Sequence, residues 1–86
     1  MYNSSLSYED WKSEALRLLR ILNNQFKQVS VDGISFEFDY TEKEPPIRIY
    51  FPHRGVRFVM EGLISEVLQG ICYVESNSCL LWRYTK

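Results

Sequence analysis

The sequence predicts an α+β domain: an N-terminal helix packed on an antiparallel sheet of about five strands, with a second short helix near residues 60–69. Three observations carry this. Apolar residues recur at helical spacing from Tyr8 to Phe26. Residues 34–40 alternate apolar and polar with period two. Residues 71–84 hold two apolar arms about Asn77-Ser78, the pattern of a hairpin.

The chain has 86 residues and reads as a single domain over 1–86, with a flexible start at 1–6. Its 45% hydrophobic and 15% aromatic content is too apolar for disorder and sufficient for one core. The net charge of −1 gives no overall field for nucleic acid or an anionic membrane. Met1–Ser5 has neither the basic nor the apolar region of a secretory leader, and no apolar run reaches membrane-spanning length. The expected setting is cytoplasmic, with no membrane partner.

Ser7 is a good N-cap, with Asp10 three residues on. Leu6 and Trp11 can staple that first turn. Tyr8, Trp11, Ala15, Leu18, Leu19, Leu22 and Phe26 share one stripe, while Ile21 falls on the polar side and is expected to be exposed.

Val29-Ser30-Val31, Asp32-Gly33 and Ile34–Tyr40 read as a hairpin, because Asp-Gly suits a tight primed turn. Ile34, Phe36, Phe38 and Tyr40 would face the core. Residues 41–46 form a charged loop stopped by Pro45 and Pro46. Ile47–Phe51 is the next strand, with Ile47, Ile49 and Phe51 inward. Pro52–Gly55 suggests a turn with Gly55 left-handed, and Val56-Arg57-Phe58 a short strand. Val59, Met60, Leu63, Ile64, Val67 and Leu68 then follow helical spacing, with Gly70 as the stop.

The order helix, three strands, helix resembles a double-stranded-RNA-binding domain in topology. That family's basic cluster at the start of its second helix has no counterpart, since Glu61 and Glu66 occupy this helix.

The C-terminal hairpin is the strongest functional pointer. With Asn77-Ser78 as a two-residue turn, Cys79 pairs with Ser76 and Cys72 with Arg83. Ile71, Tyr73, Leu80, Trp82 and Tyr84 then share one face, and Cys72, Val74, Cys79, Leu81 and Arg83 the other. The two thiols lie too far apart for a disulfide in that register. A hairpin apolar on both faces has one face to offer a partner. The expected function is a non-enzymatic protein-binding or regulatory module, acting through Tyr73, Leu80, Trp82, Tyr84 and Ile21 on another protein or on a second copy as a homodimer.

The alternative is weak nucleic-acid or phosphate binding by Arg48, Tyr50, His53, Arg54 and Arg57, because residues 45–60 hold three arginines and no acid. No catalytic, metal or cofactor residue is assigned. One histidine and two cysteines fall short of a four-ligand zinc site, and no nucleotide, hydrolase or redox motif occurs.

Overall fold

The structure, a computed structural model, describes residues 6–29 and 32–86. Six elements follow in order: α1 (Tyr8–Lys27), β1 (Ser35–Phe38), β2 (Ile47–Tyr50), α2 (Arg54–Val67), β3 (Ile71–Ser76) and β4 (Cys79–Arg83). The strands form one antiparallel sheet in the order β1-β2-β4-β3. The fold is α+β, as the sequence predicts, with four strands among the described residues.

Ser7 begins α1 as expected. Its backbone is extended, and its Oγ accepts the Asp10 N–H at 3.2 Å. Trp11, Ala15, Leu19 and Leu22 of the stripe are buried, and Tyr8, Leu18 and Phe26 pack at its margin. Leu6 does not belong to a loose start. Its N–H donates to Gln69 Oε1 at 2.9 Å, and its carbonyl accepts the Tyr84 hydroxyl.

The primed turn expected at Asp32-Gly33 does not form. Neither residue has the positive φ that a primed turn needs. Ser30 and Val31, in the expected first arm, lie outside the described residues. Val29 instead closes the turn that follows α1, its N–H on the Phe26 carbonyl at 3.0 Å. Asn23 Oδ1 accepts the Ile34 N–H at 3.0 Å and pins this connection to α1. Gly33 sits close to the same helix, where a Cβ would stand 2.8 Å from Lys27 Cε and displace that flexible side chain. Tyr40 is exposed rather than inward. β1 ends at Phe38, and the chain turns away after Asp39 donates to the Pro46 carbonyl at 3.0 Å.

α2 replaces both the expected turn and the expected strand at 52–58. It starts at Arg54, so Gly55 lies in its first turn with no positive φ. Among the described residues two strands therefore separate the helices, where the double-stranded-RNA-binding order has three. Arg57, Met60 and Ile64 are the buried residues of α2. That stripe has helical spacing but includes an arginine, which is why the apolar pattern alone starts the helix late. Gly70 does carry a positive φ, +125°, three residues beyond α2. A Cβ there would meet Trp82 Nε1 at 2.6 Å and the Arg83 carbonyl at 2.9 Å, so only glycine fits.

Both helices cover the same face of the sheet. Met60 and Ile64 of α2 share one core with α1 and with Ile47, Ile49, Leu80 and Trp82. At its centre Trp11 meets Trp82 edge-on, with centroids 5.3 Å apart at 71°. Tyr8 and Tyr84 flank the pair. Each indole is fully buried, worth about 5 kcal/mol of gross apolar transfer.

Ser7→Ala is expected to cost about 1 kcal/mol, because the Asp10 N–H loses its acceptor. Thermal denaturation checks it, and unchanged stability would place the helix start elsewhere.

Candidate interaction surface

The β3–β4 hairpin holds a one-residue irregularity that decides which side chains reach the surface. Ser76 pairs with Cys79, as the two-residue turn requires. Between Ser76 and Val74 the register slips, so Val74 pairs with Leu80, Tyr73 with Leu81, Cys72 with Trp82 and Ile71 with Arg83. Glu75 is the extra residue of a β-bulge. The slip exchanges the two faces of β3 relative to the expected register. Cys72 and Val74 join Leu80 and Trp82 on the helix-covered side, while Ile71 and Tyr73 join Leu81 and Arg83 on the open side.

This corrects the expected interface. Leu80 and Trp82 are 0% exposed and Tyr84 is 8% exposed, so none of them offers a surface. Tyr73 is 47% exposed, and Ile71 and Val74 are similarly open. Ile21 is exposed, as expected. The sequence reading did not assign interface roles to Ile71 and Val74, or to the outward residues Phe58 and Val59 of α2.

Charge pairs organise the rest of the open face. Glu75 leaves the bulge, reaches across β4 and takes Arg48 of β2 through two bonds, Nε to Oε1 at 2.6 Å and Nη2 to Oε2 at 3.1 Å. Asp39 approaches the same guanidinium at 3.4 Å and accepts the Thr41 N–H and hydroxyl. Arg83 clasps Glu42, and the Tyr50 hydroxyl donates to Glu37 at 2.9 Å. Hydrogen bonds from Arg48 hold the Glu75 carboxyl below the usual range, and those from Thr41 do the same for Asp39. The Glu37 partner raises the Tyr50 phenol.

The expected anion site is not assembled. Arg48 belongs to the carboxylate pairs just described. Arg57 is buried, with Nε donating to the Asn77 carbonyl at 3.0 Å and Nη1 to Glu61 at 2.7 Å. It clamps α2 to the hairpin turn. His53 and Arg54 are exposed at the start of α2, and Tyr50 engages Glu37.

Both thiols are free. Burial pushes Cys72 up to about 11, so it is protonated at neutral pH. No three metal-ligating side chains cluster among the described residues, and none of their helices is long and apolar enough to cross a membrane. No protein-family model matches the chain, and no curated protein or solved structure matches it either.

Arg57→Ala is expected to destabilise the fold by about 2 kcal/mol, because it removes a buried side chain together with its hydrogen bonds to the Asn77 carbonyl and Glu61. Arg54→Ala should stay within about 0.5 kcal/mol of the wild type. Chemical denaturation of the two variants checks the contrast.

A second expectation concerns acid. Because Arg48 lowers the folded-state pKa of Glu75, the pair contributes fully above the unfolded value of about 4.3 and is lost as pH falls through the lower folded value. Arg48→Met should flatten the acid limb of stability below about pH 4 relative to the wild type. Circular dichroism during acid titration reads this, and an unchanged limb would mean the pair contributes nothing.

Proposed function

We propose that this protein is a non-enzymatic protein-binding module whose docking surface is the exposed part of its C-terminal hairpin. The observation that carries the reading is β3. It is an edge strand of six residues with Ile71, Tyr73 and Val74 each about half exposed. Edge strands are commonly blunted by lysine, proline, an inward charge or a bulge; β3 has its bulge at Glu75, and the regular stretch Ile71–Val74 before it carries no charge and no proline. A second strand can add there through backbone hydrogen bonds, with Tyr73 as an aromatic anchor. The β1 edge is shorter, at four residues, and carries Glu37.

The anion-binding alternative loses its support with Arg48 and Arg57, whose guanidinium groups are already engaged. A cytoplasmic setting is part of the proposal, and two free thiols fit a reducing compartment.

A photo-crosslinking residue at position 73, compared with one at exposed Arg20 of α1 as a surface control, tests the reading in the cell of origin. Position 73 should yield a discrete adduct that position 20 does not. Equal or absent adducts at 73 would overturn it.

A further inference from the structure

Resting on that reading, we propose that the partner of β3 is a second copy of this chain, joined about a two-fold axis that pairs β3 with β3 and sets α2 against α2. The argument begins with α2. Gly62 sits in the middle of this 14-residue helix. A Cβ there would meet nothing within 4 Å, so the fold has no packing need for glycine at a position where it weakens the helix. Around it Phe58 is 71% exposed and Val59 58%. Large apolar side chains beside an unneeded glycine suit a helix face approached closely by another backbone.

The fold states where that approach comes from. Cys72 lies against Ser65 and Glu61, and Arg57 reaches Asn77 at the far end of β3. α2 therefore runs antiparallel to β3, with Gly62 level with the middle of the strand. At 100° per residue, Phe58, Gly62 and Ser65 follow one another on the flank that overhangs the free edge.

Two antiparallel β3 strands about a two-fold normal to the sheet leave both α2 helices on the same face. Strands lie about 4.8 Å apart, and α2 covers β3 and β4. The two helices then stand within about 10 Å, the wide end of helix packing, and a glycine on each facing flank lets them close towards the near end, about 8 Å. Pairing Tyr73 with its own copy brings Gly62 to Gly62 across the axis. It also brings Val74, half exposed at the margin of the covered face, beneath the second helix.

Charge fits the same arrangement. The first turn of α2 holds Arg54 and no acid, and its last turn has no base, with Glu66 just before its end. This order opposes the helix's own dipole. In an antiparallel copy, Arg54 faces the C-terminal end of the partner's α2, where Glu66 and the terminal carbonyls lie.

Exposed apolar area supports the arrangement as well. A stable dimer buries roughly 800 Å² per partner. Phe58 and Tyr73 supply about 240 Å² of this, on typical aromatic areas, and Ile71, Val74 and the strand backbone add to it.

Sedimentation equilibrium of the full chain, from low micromolar to near-millimolar protein, tests the proposal. The wild type should be a dimer. Gly62→Leu should weaken it roughly thirtyfold by blocking the close approach, while raising the melting temperature of the monomer. A merely sticky apolar surface would associate more strongly with leucine, and that result overturns the proposal. Arg54→Glu and Glu66→Arg should each weaken the dimer, and the double exchange should restore it. Absence of restoration rules out the antiparallel two-fold. A monomer throughout, with position 73 still crosslinking to a different protein, refutes the self-pairing and leaves the binding module standing. A monomer with no adduct at 73 removes both.

Discussion

Everything else in this fold is arranged around the edge-on packing of Trp11 against Trp82. One ring comes from the first helix and the other from the last strand, so the pair joins the two ends of the chain. Such an arrangement sets the electropositive edge of one ring on the face of the other and adds about 0.5–1.5 kcal/mol to plain burial. The N–H of Trp11 donates to the Gln69 carbonyl at 2.7 Å, and the Gln69 side chain bonds Leu6 and the Thr85 carbonyl. A single connection after α2 therefore holds the first turn of α1 and the chain beyond β4. Gly70 follows at once, in a backbone conformation that leaves room for the Trp82 ring.

With its two helices on the same side, the sheet presents its other face to water. Two physical solutions divide that face. Around β1 and β2 the outward side chains are carboxylates, guanidiniums and phenols that satisfy one another, which keeps the face wet and soluble. Around β3 the outward side chains are apolar and the strand is an edge. The boundary between these halves is drawn by Glu75, whose carboxylate lies over β4 and is anchored on Arg48. The bulge thus serves the charged half by aiming Glu75, and the apolar half by turning Tyr73 outward.

Much of this was legible in the sequence, and the rest was not for identifiable reasons. α1 was clear because a cap, a staple and a seven-residue stripe agree with one another. β2 was clear because Ile47, Ile49 and Phe51 alternate without interruption. The start of α2 was hidden by Arg57, a buried polar residue in the middle of an apolar stripe. Its burial is stabilised by Asn77 and Glu61, partners that no local pattern announces. The Asp-Gly signal at 32–33 was overruled by tertiary bonds from Asn23. The proposed docking surface is half legible. An apolar excess on the hairpin was evident, but its assignment to one face depended on a register that the turn residues alone do not fix.

The bulge at Glu75 also bears on how this chain tolerates changes in length. Side chains in β3 change face with each residue inserted or removed. Because Glu75 is the extra residue, deleting it would keep Tyr73 opposite Leu81 and cost only the bond to Arg48. Inserting or deleting a residue elsewhere in β3 would bring a different side chain opposite Trp82 and turn the covered face out to water. A neighbouring loop such as 41–46 carries no such constraint, because its residues are exposed or lead into Pro45 and Pro46 without a ladder to shift. Insertions and deletions among relatives of this chain should therefore gather in that loop and at the bulge, and the runs from Gly70 to Val74 and from Cys79 to Trp82 should keep their lengths even where their side chains vary.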